Sequence, residues 1–229
     1  MQRIIREINR EAEELVLHVQ GVLEEKLHPP IRTERGSRNM NLRYFKQSVK
    51  ISEFECAEDE AVTEGIGALC GLLARNIDGM VGFEYREIDG RTVLEFGNRL
   101  FTPKREAPNM AWAEINPAID SNGFMENIRR TRSDFVHGED NVVNYRVEKT
   151  AADSVKSTDK IPPQNIHVGD LVDITFSVIG VEGNSLKKGG RPVLVLRSVT
   201  LLDDTHTAEW LKRKLLLHKP SRLDTAVQL

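Results

Sequence analysis

The stretch that decides the fold is VGDLVDITFSVIGVE at residues 168–182, answered by RPVLVLRSVTLLD at 191–203. Val168, Leu171, Ile174 and Phe176, with the run 178–181, make a long β-run opened by Gly169-Asp170. Residues 193–202 are again strongly strand-like. The loop between them carries Gly183, Asn184, Lys187, Lys188, Gly189 and Gly190. Two long β-runs joined by a Gly/Lys loop predict an antiparallel hairpin. Upstream, Val81, Phe83 and Tyr85 alternate with Gly82, Glu84 and Arg86, Asp89-Gly90 is a turn signal, and Thr92, Leu94 and Phe96 alternate on the way back. This predicts a second hairpin. Residues 142–147 read as a further strand.

The N-terminal part carries helical signals. Met1, Ile5, Ile8, Ala12, Leu15, Val19 and Val22 follow one another in steps of four and three, and Pro29-Pro30 ends the pattern. A helix over residues 1–27 is expected, with Ile5, Ile8, Leu15, Val19 and Val22 as a seam for a homo-oligomer. Residues 57–76 predict a second helix, acidic at its start (Glu58, Asp59, Glu60, Glu64) and apolar along Val62, Ile66, Leu69, Leu72 and Leu73. Short helices are expected near 110–115 and 123–131, anchored by Trp112 and Phe124. Residues 150–165 are poor in apolar side chains and read as a linker or insertion. The expected class is α+β, with N-terminal helices, antiparallel sheet and a C-terminal β-barrel-like unit. The expected segments are 1–149 (helices and hairpin), 150–165 (linker) and 166–229 (β-unit with a C-terminal helix capped by Thr207).

The C-terminal segment, residues 168–203, resembles uncharacterised fungal proteins with a similar ending, and more distantly it is similar to pieces of an OB-fold. The fungal likeness implies no activity. The OB-fold likeness implies a groove for single-stranded nucleic acid or oligosaccharide.

Composition narrows the function classes. The chain has 229 residues, a net charge of −3 and two cysteines. A polyanion surface would have to come from local clustering, and a disulfide framework is excluded by count. No apolar run is long enough to span a bilayer, and no Asn-X-Ser/Thr sequon occurs, so an intracellular location (cytoplasmic or nuclear) without membrane contact is expected. Phosphate-binding Walker loops and the Gly-X-Ser-X-Gly elbow are absent, and Cys56 lies beside acids that disfavour a thiolate. The expectation is a protein that is not an enzyme and needs no cofactor.

Two basic regions point to a ligand. Residues 31–50 hold Arg32, Arg35, Arg38, Arg43, Lys46 and Lys50 against the single acid Glu34, with Tyr44 and Phe45 among them. Residues 184–222 hold nine cations and three carboxylates. Arg43, Lys46, Lys187, Lys188, Arg191, Lys212 and Lys214 are the candidate phosphate contacts, and Tyr44 the candidate stacking ring, for single-stranded DNA or RNA. The rival is an assembly subunit using the N-terminal seam. A third alternative is a metal-dependent enzyme using His137 and Glu139, with His167 or His206 completing the ligand set; a metal is not the expected outcome.

Overall fold

The computed structural model describes residues 2–8, 11–30, 41–52, 57–88, 91–150, 156–182, 189–205, 207 and 212. In chain order the strands are β1 (Gln2–Arg3), β2 (Ile5–Ile8), β3 (Glu11–Glu14), β4 (Leu17–Leu27), β5 (Lys46–Ser52), β6 (Arg86–Ile88), β7 (Arg91–Arg99), β8 (Thr102–Pro103), β9 (Phe135–Val136), β10 (Asn144–Thr150), β11 (Lys156–Lys160), β12 (Leu171–Glu182) and β13 (Gly190–Asp203). Helix α1 (Ala57–Ala74) follows β5, and α2 (Phe124–Thr131) lies between β8 and β9.

Five of these strands close on themselves. β12 pairs with β4, β4 with β5, β5 with β7, β7 with β13, and β13 returns to β12. All of these pairings are antiparallel except β7 with β13, which is parallel at Val195 and Gly97. A five-stranded barrel with this Greek-key order is OB-like. Register shifts in the β4–β5 and β12–β13 pairings supply the bends that closure requires.

Alternation fills the barrel. Val19 and Leu23 from β4, Val49 and Ile51 from β5, and Leu94 and Phe96 from β7 face Val172, Ile174, Phe176, Leu194 and Leu196. The Phe96 and Phe176 rings lie 4.8 Å apart at its centre. Each such side chain removed from water contributes about 1.5–3 kcal/mol. Ile66, Cys70 and Leu73 bring α1 onto this core. A second core gathers Leu42, Leu100, Phe101, Phe124, Met125, Ile128 and Phe135 beside the start of β5 and the end of β7.

The N-terminal helix does not form: among the described residues of 2–27 every assigned element is a strand. Valine is stiff at its branched carbon and suits strands, and β4 buries Val19, Gly21 and Leu23 at a period of two. Gly21 explains why a strand fits here. A Cβ on it would stand 2.6 Å from the Ser52 carbonyl oxygen, so β4 and β5 cross too closely for any side chain. The helical seam is therefore lost. Val19 is inside the barrel and Leu15 is half-buried, its N–H donating to the Ile4 carbonyl.

Other expectations fare variously. The C-terminal hairpin forms as read, and α1 lies within the predicted 57–76. The upstream hairpin pairs only Arg86–Ile88 with β7; residues 81–85 are not strand. A helix forms at Phe124–Thr131 but not at 110–115. Within 150–165, β11 pairs with β10, so that stretch carries sheet rather than bare connection. The Gly169-Asp170 turn is built around a buried carboxylate. Gly169 has φ 97, and Asp170 accepts from the His167 N–H at 2.6 Å and the Thr207 hydroxyl at 2.5 Å. The descriptions of Cys56, the Asp89-Gly90 turn and most of the C-terminal helix fall outside the described residues.

Candidate nucleic-acid interface

The outward face of β5 and β7 follows from their register. Gln47, Val49 and Ile51 point inward, as do Leu94, Phe96 and Asn98. Lys46, Ser48 and Lys50 therefore point outward, abreast of Arg99, Gly97 and Glu95. Ser48 and Gly97 make a low floor, which Leu27 of β4, 49 % exposed, continues on the far side of Ser48. Charged pairs stand above and below it. In chain order, residues 28–45 connect β4 to β5, and residues 183–189 connect β12 to β13.

The chain enters β5 through a single turn. Leu42–Tyr44 forms a short 3-10 turn, capped by Asn41, whose Oδ1 accepts from the Arg43 N–H at 3.2 Å. Leu42 is buried in the second core, and the Phe45 ring lies 5.5 Å from that of Phe124. Between these two anchors Arg43 and Tyr44 are pushed into solvent, with Tyr44 77 % exposed.

The cations of this face share carboxylates. Lys46 donates to Glu95 at 2.7 Å, and Arg86 lies 3.4 Å from the same carboxylate. Glu106 accepts from Arg43 at 2.8 Å through Oε1 and from Arg99 at 2.6 Å through Oε2. Lys50 donates to Glu25 at 2.6 Å. The Lys46 hydrogen bond, with the charges of Arg86 and Lys50, holds the Glu95 carboxyl below its usual range against desolvation. Burial works to raise the Glu106 carboxyl, but the Arg99 hydrogen bond and the charges of Arg99, Arg43 and Arg105 outweigh it and lower it. Six cations thus surround three carboxylates, and the face stays electropositive on a chain of net charge −3.

The sequence-derived candidates are only partly brought together. Arg43, Tyr44 and Lys46 lie at this face. Arg191 is exposed at the start of β13, opposite Val181, and Lys212 is exposed beyond the barrel strands. Lys187, Lys188 and Lys214 lie outside the described residues. Sequence reasoning missed Arg86, Arg99, Arg105 and Glu106, and gave Glu95 no partner. The alternation of Leu94 and Phe96 with Glu95, Gly97 and Arg99 was the available signal, since it sets the latter three on one face.

The metal alternative is not supported. His137 is buried, with Nδ1 2.7 Å from the Leu100 carbonyl, whereas Glu139 is exposed. Burial lowers the His137 pKa, against the pull of that carbonyl and of Asp120. His167 is 62 % exposed at its side chain, in the turn that Asp170 organises. Among the described residues no group of three His, Cys, Asp or Glu side chains could hold a metal ion. Nor, among them, is any helix long and apolar enough to cross a membrane.

His137 lines a cavity of 290 Å³ with Glu114, Asn116, Asn144, Tyr145 and Lys160. Beside it a buried polar network locks the 139–141 turn to the barrel. Tyr145 donates to Gln47 at 3.0 Å, Gln47 donates to the Asn141 carbonyl at 2.8 Å, and Asn98 donates to the Asp140 carbonyl at 2.8 Å. These bonds satisfy polar groups that burial would otherwise leave costly, which is a structural role.

No protein-family model matches the chain. No curated protein matches it either. Among solved structures, the crystal structure of gp2.5, a single-stranded DNA binding protein encoded by bacteriophage T7, is similar to it. The two share 12 % identity over 82 % of this chain and 86 % of that one, with a TM-score of 0.46.

Proposed function

We propose that this protein binds single-stranded nucleic acid, DNA or RNA, across the outward face of β5 and β7, without chemistry on the ligand. The observation that carries this reading is the conjunction of an uncovered tyrosine with an electropositive low floor. Tyr44 is 77 % exposed, with Arg43 beside it and Lys46 two residues further on. A strand laid over Ser48 and Gly97 would set its phosphates against Lys46, Arg99, Arg43 and Lys50. One base would rest on the Tyr44 ring. Stacking needs an unpaired base, which favours single strands over duplex. The face of the second and third barrel strands is the surface OB-like barrels offer to oligonucleotides. Lys187 and Lys188, outside the described residues, would add phosphate contacts.

The test is fluorescence anisotropy with labelled oligo-dT and oligo-U at low salt, beside a duplex of equal length. Saturable binding to the single strands is expected, weakened in Lys46→Ala and Arg99→Ala proteins of unchanged circular dichroism. Absence of single-strand binding at low salt, or duplex bound as tightly, would refute the proposal.

A further inference from the structure

We infer that Glu106 is a built-in competitor for the ligand: its carboxylate occupies the place of a backbone phosphate between Arg43 and Arg99, and the strand takes that place on binding. The inference rests on the nucleic-acid reading and names how the same site is regulated. Both oxygens of Glu106 are engaged by different residues, Oε1 by Arg43 at 2.8 Å and Oε2 by Arg99 at 2.6 Å. The charge of Arg105 also reaches it. Two guanidiniums gripping one carboxylate, with the charge of a third nearby, form an anion site that suits an occupant with more acceptor oxygens than a carboxylate has. A phosphodiester suits guanidinium donors of this kind.

The position matches the ligand's expected path. Arg43 is the chain neighbour of Tyr44, so a base stacked on that ring has its own phosphate within reach of this cluster. Arg99 stands abreast of Lys46 on the floor. Glu106 itself comes from outside the barrel strands, in the turn where its N–H donates to the Pro103 carbonyl at 2.9 Å. Its side chain is 30 % exposed and can rotate away while that turn stays in place. Glu95 stands in the same relation to Lys46 and Arg86.

The two carboxylates hold four of the cations in ion pairs at this face. They also set a threshold that only a polyanion, which delivers several phosphates together, overcomes. Isolated anions would be held off.

The experiment compares oligo-dT affinity at fixed salt for the intact chain, Glu106→Gln, Glu95→Gln and Glu148→Gln. The last removes a carboxylate from an exposed pair with Lys156 on β10 and β11, and so controls for net charge. Glu106→Gln is expected to tighten binding by about two- to fivefold, the worth of an exposed ion pair that no longer competes. Glu95→Gln should do the same independently, and Glu148→Gln should change little. If the glutamine variants at 106 and 95, folded by circular dichroism, bind no tighter than Glu148→Gln, the inference is overturned. Should the intact chain still bind through Tyr44 and Lys46, only the competitor role falls. Absence of any oligo-dT binding would instead remove the underlying reading.

Discussion

Replacing Tyr44 by alanine separates binding from folding more cleanly than any other single change. The ring is 77 % exposed, between buried Leu42 and half-buried Phe45, so its removal takes little apolar area out of the core. A surface change of this kind alters stability by no more than about 0.5 kcal/mol. Stacking a base on an aromatic ring is worth about 1–3 kcal/mol by alanine substitution. Tyr44→Ala should therefore weaken binding to oligo-dT by about five- to 150-fold while the urea midpoint stays in place. Tyr44→Phe keeps the ring face and should bind within about twofold of the original chain. Anisotropy titrations of the three proteins, paired with urea denaturation, give both numbers. Equal affinity of Tyr44→Ala and the intact chain would refute the stacking role. Equal loss in the phenylalanine protein would show that the hydroxyl, and not the ring face, matters.

Two further outcomes test the fold itself. Gly21→Ala places a methyl 2.6 Å from the Ser52 carbonyl oxygen and 3.0 Å from the Ile51 side chain, and should cost about 1–3 kcal/mol in urea denaturation. Gly65→Ala on α1 meets nothing within 4 Å and should instead stabilise by up to about 1 kcal/mol. His28 gives the pH dependence. Desolvation, then the Lys26 charge, push its pKa down from 6.5 to about 4, against the Pro163 carbonyl. The unfolded chain thus takes up a proton in this window that the fold refuses. Stability should be full above pH 6.5 and fall by up to about 3 kcal/mol as pH drops toward 4. His28→Phe should flatten that part of the pH profile of the urea midpoint.

What could be read from the sequence was local. The hairpin of β12 and β13 was legible because both strands alternate around a glycine-rich loop. Helix α1 was legible from its apolar face and acidic start. The N-terminal strands were misread because Val16, Leu17, Val19, Val22 and Leu23 satisfy a spacing of three and four as well as a spacing of two. Gly21 was the discriminating residue: inside a helix it would only weaken it, whereas at a strand crossing it is required. Barrel closure was illegible for a different reason. It depends on the parallel contact of Val195 with Gly97, which leaves no local trace. The site suffered likewise. Arg43 and Tyr44 stood out in the basic run, but Glu106 and Glu95 lie 63 and 49 residues from the cations they hold. Only the folded barrel shows that Arg43, Lys46 and Lys50 are each paired with a carboxylate, and that Glu95 and Glu106 are each shared with a second cation.

The salt dependence of oligo-dT affinity measures the central claim most directly. Six cations around three carboxylates leave roughly three positions for phosphates, which for a single strand gives a log–log slope of about −2. A slope near that value, made shallower in a Lys46→Ala, Arg99→Ala double variant, is the predicted result. Affinity that stays constant as salt rises from low to high would contradict it.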